Sequence, residues 1–335
     1  MTVKIAINGF GRIGRAVARI ALNLPDVEIV AINDLTDTAT LAHLLKYDSV
    51  HGRLNVPVEV GEGYLQMGTQ RIRTSAVADP EKLAWGDVGA DVVLECTGRF
   101  TKRDDAAKHI AAGGKRVIVS APAKGVDATI VVGVNDDALD RGAHEVISCA
   151  SCTTNCLAPV AKVLHETVGI KKGLMTTIHA YTADQRLLDA PHKDLRRARS
   201  AALSMVPTST GAAVAVSEVL PALEGRLNGM AIRVPTPNVS VTDLTFEAER
   251  ATTADEINEA VRLAAEGPLR GILAYETDEI VSIDMNGHSA SSIFDSRLTR
   301  VQDGTLVKIL SWYDNEWGFS NRMIDLSRLF VTGAR

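Results

Sequence analysis

The stretch that most restricts what this chain can fold into is its start, where "VKIAIN" runs into Gly9-Phe10-Gly11-Arg12-Ile13-Gly14 and the helical pattern "RIGRAVARIALNL". A β-branched run, a G-x-G-x-x-G turn and a helix in that order open a dinucleotide-binding unit. The first glycine permits a tight turn, the second lets backbone approach a pyrophosphate, and the third lets helix and strand pack closely. The helix N-terminus then faces the phosphates. Through residue 150 further short runs alternate with helical stretches: "VEIVAI", "ADVVLEC", "KRVIVSA", "ATIVVGV" and "EVISCA". That rhythm predicts a doubly wound, mostly parallel α/β sheet of Rossmann type. Asp34 ends the second run twenty residues after Gly14, where an acidic side chain binds the hydroxyls of an adenine ribose and repels a 2′-phosphate. NAD is therefore expected rather than NADP. Arg12 and Arg15 leave the start of the helix near the pyrophosphate rather than the ribose.

Composition sets the outer limits. A chain of 335 residues, 46% of them hydrophobic, has the length of two domains. A net charge of −5 speaks against bulk affinity for nucleic acid or an anionic membrane, so any phosphate site must be local. Four cysteines are too few for a secreted disulfide framework, and "MTVKIAINGF" passes into a β-like segment without a signal-peptide core. A cytoplasmic location is expected. No apolar run approaches the roughly 18 residues that a membrane span requires.

Three of the four cysteines fall within "SCASCTTNC", residues 148–156. A structural zinc site wants a second short-spaced ligand pair, and His144 and His165 do not supply one, so no metal is expected. A redox C-x-x-C needs its own domain layout, whereas this motif follows the last strand of the dinucleotide-binding half. The apolar periodicity of "SCTTNCLAPVAKVLHET" predicts a helix with Ser151 or Thr153 near its N-cap and Cys152 in or beside the first turn. Cys156, one turn deeper, reads as a buried small residue, and Cys149 as part of the preceding strand. Lowering a thiol pKa from about 8.5 to about 6 requires roughly 3.4 kcal/mol. A helix terminus supplies about 2 kcal/mol at best. A cation or base must therefore come from elsewhere in the fold. Of eight histidines, His179 suits best, because the alternation of "MTTIHAY" predicts a strand that would hold it firmly.

At "ASCTTNCLAP" the chain resembles the phosphorylating, glycolytic glyceraldehyde-3-phosphate dehydrogenases. The likeness continues through "INGFGRIGR", "LAHLLKYDSVHG", "MTTIHAYTADQR", "HKDLRRAR", "PTSTGAA", "RVPTPNVSV" and "SWYDNEWG", covering essentially the whole chain. The resemblance implies that Cys152 is the nucleophile and His179 its general base. The thiolate attacks the sugar aldehyde, the thiohemiacetal loses hydride to the nicotinamide, and inorganic phosphate cleaves the resulting thioester. It implies two anion sites: Thr182 and Arg233 for the substrate's C3 phosphate, and Ser151, Thr153, Thr210 and Gly211, with Arg197 nearby, for the attacking phosphate. Gly9, Gly11, Arg12, Ile13, Asp34, Ser120 and Asn315 match the family's cofactor positions, Asn315 fixing the carboxamide. The stretch from Tyr181 to Pro207 resembles a loop at subunit contacts, which implies a homotetramer.

The implied domains are an NAD-binding domain over 1–151, an α+β catalytic domain with a mixed or antiparallel sheet over 152–316, and a helix over 317–335 packing back on the first. Against the family pattern, Cys149 replaces an asparagine, Ala78 an arginine, Ala183 an asparagine, Val214 a lysine and Phe319 a tyrosine. Ala78, Ala183 and Ala190 leave some NADP use open, while Asp34, Leu35 and Pro191 favour NAD. Two other functions remain: an erythrose-4-phosphate dehydrogenase, which hydrolyses its thioester, and a catalytically idle binding paralogue. The attacking-phosphate residues argue against the first, and retention of Cys152 and His179 against the second.

Overall fold

A computed structural model describes residues 2–334; Met1 and Arg335, the outer ends of the expected domain spans, lie outside the described residues. The chain divides into two units, one of Met1–Val132, Asp136–Ser151 and Ser320–Arg335, the other of Gly133–Asn135 and Cys152–Phe319.

The first unit is built on a nine-stranded sheet. Across it run Ala128–Thr129, Val146–Ser148, Val117–Val119, Val92–Glu95, Val3–Asn8, Val27–Asn33, Gln70–Ser75, Tyr64–Met67 and Val58–Gly61. Every neighbouring pair is parallel except the last two. The central strands are apolar because both faces are covered: Ile5, Ile7, Val92, Leu94, Val117 and Ile118 are fully buried. Winding reverses between Val3–Asn8 and Val92–Glu95, which opens a crevice at their carboxyl ends. Two expectations need correction. "ATIVVGV" keeps only Ala128–Thr129 as a strand, at an edge where it has a single neighbour. The strand Gln70–Ser75 was hidden because Ile72 is its one fully buried side chain among polar neighbours. Within this unit Arg328, near the C-terminus, clasps Asp26 with both carboxylate oxygens engaged.

The glycine turn has the geometry its sequence demands. Gly9 takes φ +95°, and a Cβ there would sit 2.6 Å from the Thr97 nitrogen. A Cβ on Gly14 would meet the Gly9 carbonyl oxygen at 2.4 Å, so the helix Arg12–Ala21 approaches the turn as closely as only glycine allows.

The second unit carries a mixed eight-stranded sheet. Its path is Val206–Ser209, Leu227–Val234, Ile170–Ala180, Ser240–Ala248, Leu306–Tyr313, Ser292–Asp295 and Leu273–Glu276, with Arg300–Gln302 paired to Leu306–Tyr313. Ile170–Ala180 runs parallel to Leu227–Val234 and antiparallel to Ser240–Ala248. The helix Cys152–Val168 packs on this sheet and buries Cys156, Leu157, Val160 and Leu164, which share one helical face at i, i+1, i+4 and i+8. No helix among the described residues is long and apolar enough to cross a membrane.

Candidate active site

In the first unit the crevice is a groove lined by Asn8, Gly11, Asp34, Leu35, Ala78 and Thr97, among others. A Cβ on Gly11 would meet nothing within 4 Å. The first and third glycines are thus filled in by protein, and the second is left open on the side a diphosphate must approach. That pattern fits a dinucleotide. Asp34 stands just past the strand Val27–Asn33 and accepts from the Phe10 backbone N–H at 2.8 Å and from that of Thr36 at 3.0 Å. Its carboxylate is thereby tied to the glycine turn. The Arg12 guanidinium does not hang over that turn but pairs with Asp48. Burial would raise the Asp48 carboxyl, yet the bonds from Arg12 and from the backbone N–H groups of His51 and Val50 hold it at about 2. Arg15 likewise donates to the Phe10 carbonyl. Ser120 follows the strand Val117–Val119, its N–H bonded to the Glu95 carbonyl.

In the second unit Cys152 is the first residue of its helix, with its thiol 3.6 Å from His179 Nε2. His179 comes from the end of Ile170–Ala180, directly opposite Arg233 on the neighbouring strand. The His179 Nδ1 lies 2.6 Å from the Ala180 carbonyl oxygen, to which Arg233 also donates at 3.1 Å. Arg233 Nη1 also stands 2.8 Å from that Nδ1. With the Nδ1 hydrogen given to the nearer carbonyl, Nε2 is the acceptor facing sulfur, the tautomer a base needs. Burial, with the Arg233 charge added, lowers His179 to about 3. Burial pushes the Cys152 thiol up, and Arg233 pulls it back. Both shifts favour the uncharged pair at rest, a thiol beside a neutral imidazole.

Of the residues expected to hold anions, Arg233 stands directly opposite His179. Among the described residues Arg233 Nε is a buried donor with no hydrogen-bond partner, chemistry that fits an anion. Thr210 and Gly211 begin the helix Ala212–Val219, with the Thr210 hydroxyl accepting from the Ala212 N–H. Thr182 engages Gln185. Arg197 is held by Asp184 and Thr208, so any anion it meets competes with the Asp184 carboxylate. Ser151 immediately precedes the helix.

Three participants escaped sequence reasoning. Tyr313 is fully buried; its hydroxyl joins Thr153 at 2.9 Å to Thr177 at 2.8 Å, and its ring stands edge-on to His179. It ties the nucleophile's helix to the base's strand. Ser240 accepts from the Ala180 N–H and donates to Asn315 Oδ1, leaving the Asn315 amide hydrogens for a ligand. Val239, just before it, holds φ +66°, a strained state for a β-branched residue. Strand alternation in "LVKILSWY" was the available signal for Tyr313; nothing local marks Val239 or Ser240. Ala150, at φ +58°, turns the chain just ahead of Ser151. Cys149 lies one residue beyond the strand Val146–Ser148, although its N–H still bonds the Val119 carbonyl; it is fully buried, as is Cys156.

Comparison with known proteins matches both halves of the chain. Residues 3–103 match the family model described as glyceraldehyde 3-phosphate dehydrogenase, NAD binding domain, and residues 151–315 the C-terminal domain of the same family. The chain is 63% identical to glyceraldehyde-3-phosphate dehydrogenase of Geobacillus stearothermophilus, with 98% of each chain covered. It is 59% identical to glyceraldehyde-3-phosphate dehydrogenase 1 of Bacillus subtilis and 57% identical to a Streptomyces coelicolor relative, again over 98% of each chain.

Proposed function

The chain belongs to the glyceraldehyde-3-phosphate dehydrogenase family, and from that premise we propose how its own residues carry out the family reaction. It is an NAD-dependent oxidoreductase that acts on the aldehyde of D-glyceraldehyde 3-phosphate and, with inorganic phosphate, yields 1,3-bisphosphoglycerate. The observation that carries the mechanism is Cys152 at the head of its helix with His179 Nε2 3.6 Å from sulfur. Cys152 attacks the aldehyde carbon while its proton goes to His179. The helix N-terminus and the Cys152 N–H then face the oxygen on which negative charge develops. His179 returns that proton to the oxyanion, giving the thiohemiacetal hydroxyl, and takes it again as the carbon is oxidised, leaving a thioester on Cys152. NAD, when bound, supplies the hydride acceptor. Its holding residues are Gly9, Gly11 and Ile13 at the diphosphate, Asp34 at the ribose, and Ser120 and Asn315 toward the nicotinamide, with Arg12 acting through its backbone. Phosphate then attacks the thioester, and Cys152 leaves.

Arg233 and Thr182 bind the C3 phosphate. Ser151, Thr153, Thr210 and Gly211 bind the attacking phosphate, with Arg197 recruited as Asp184 gives way. The cofactor domain is 1–151 with the helix 317–335 and the catalytic domain 152–316; the two compact units support this division, except that residues 133–135 and 317–319 fall in the second unit. Between Tyr181 and Pro207, Leu187, Leu188, Leu195, Leu203 and Met205 are largely exposed. Such a run supports burial against other copies of the chain, and the assembly we propose is a homotetramer in the cytoplasm.

The test measures NAD and NADP reduction with glyceraldehyde 3-phosphate and with erythrose 4-phosphate, each with and without inorganic phosphate. Phosphate-dependent reduction of NAD by glyceraldehyde 3-phosphate is expected. Phosphate-independent turnover, or preference for erythrose 4-phosphate, would contradict it.

A further inference from the structure

Beneath the dinucleotide groove lies a buried polar assembly that the mechanism does not use. Glu95 ends the strand Val92–Glu95 at the point where the sheet's winding reverses, and it is 1% exposed. Four donors converge on its two oxygens. Oε1 takes the backbone N–H of Thr97 at 2.8 Å and the Thr97 hydroxyl. Oε2 takes Asn8 Nδ2 at 2.6 Å and His109 Nε2 at 3.0 Å.

Every donor assignment is fixed by a neighbour that has no choice. The Trp85 indole N–H can only donate, and it does so to His109 Nδ1 at 3.0 Å. His109 therefore carries its hydrogen on Nε2, toward Glu95. Asn33 Oδ1 accepts from the Val77 N–H, while its Nδ2 donates to the Val77 carbonyl and to Asn8 Oδ1. Asn8 Oδ1 is thereby an acceptor, and its Nδ2 must point to Glu95.

We propose that Glu95 is a positioning residue for the dinucleotide, its carboxylate locking the ends of the three strands that form the groove into one rigid edge. The proposal rests on the NAD reading of that groove. Asn33 precedes Asp34, Asn8 precedes Gly9, and Thr97 lines the groove opposite them. One carboxylate thus sets the spacing between the ribose-binding acid, the glycine turn and the facing wall. An amide cannot replace it. Glu95→Gln has the same shape but brings two donors to a place where four already meet, and Asn8 cannot flip to accept one without breaking its bond from Asn33. A reversed pair can. In Glu95→Gln with Asn8→Asp, the new amide donates to the new carboxylate, which still accepts from Asn33 and, at the Nδ2 position 3.4 Å from His109 Nε2, takes the His109 hydrogen as well.

The experiment is calorimetric titration of NAD into wild type, Glu95→Gln and the double variant, with thermal unfolding of each unliganded protein and the KM for NAD against kcat. The expected result is NAD binding weakened at least about tenfold in Glu95→Gln, mostly as a raised KM, with at least about threefold of that recovered in the double variant. Recovery of affinity is what a merely structural role would not produce. Wild-type affinity in Glu95→Gln, or no recovery in the double variant, overturns the proposal. Absence of NAD binding by wild type would instead overturn the reading of the groove. Should Glu95→Gln not fold, His109→Leu removes one donor outside the groove. NAD binding weakened about threefold in that variant supports the proposal, and unchanged binding overturns it.

Discussion

The dinucleotide groove and the thiol corner recognise their ligands by opposite means. The groove works by what is missing: at Gly11 no side chain occupies the approach, and at Gly9 and Gly14 none would fit. Asp34, the acid proposed for the ribose, is bonded to the backbone of the glycine turn. The thiol corner works by what converges. Cys152, His179, Arg233 and Tyr313 come from one helix and three separate strands, and each tunes another. Backbone geometry suits a large ligand that must be held and released, whereas a proton that moves between sulfur and nitrogen needs side chains with matched burial.

Substitutions sharpen this contrast, the largest effect first. Cys152→Ser should lower turnover by at least about 10⁴-fold while leaving NAD binding intact, since an alcohol is a far poorer nucleophile at neutral pH. Steady-state rates with calorimetry for NAD check it, and a parallel loss of NAD affinity would dissolve the separation between the two regions.

The glycines divide the groove itself. Gly14→Ala forces helix from turn and should cost about 1–3 kcal/mol of stability. Gly11→Ala should cost less than about 1 kcal/mol, for a poorer N-cap, yet bind NAD about tenfold more weakly, because its methyl enters only the ligand's space. Denaturant unfolding beside NAD titration separates the two; equal destabilisation by both would show that Gly11 is structural.

A separate effect is on pH. His179 is held near 3, below the value of about 6.5 for a free imidazole. As pH falls through about 6.5, the unfolded chain takes up a proton that the native chain refuses, so native stability declines down to about pH 3. His179→Asn should flatten that decline. Urea unfolding from about pH 7 to about pH 4 reads the slope, and identical slopes would mean His179 is not the buried neutral base.

What could be read in the sequence follows the same division. Gly9, Gly11, Gly14 and Asp34 are legible because their spacing lies within one strand–helix–strand unit and each glycine answers a steric demand. Cys152 is legible because a helix start is a local signal. His179 is legible as a strand residue, but its opposition to Arg233 depends on a pairing across 54 positions that no window reveals. Arg12 shows the same limit: its side chain pairs with Asp48, a carboxylate distant in sequence that no window reveals. Glu95 had no signal, being a single acid at the end of an apolar strand.

The central claim is that oxidation passes through a thioester on Cys152 which only phosphate discharges. Mixing enzyme, NAD and glyceraldehyde 3-phosphate without inorganic phosphate, then quenching and mapping the acylated residue by mass spectrometry, tests it directly. The account predicts a burst of NADH matching the number of chains, an acyl group on Cys152, and its rapid loss when phosphate is added. Continued turnover without phosphate, or an acyl group on another residue, would contradict it.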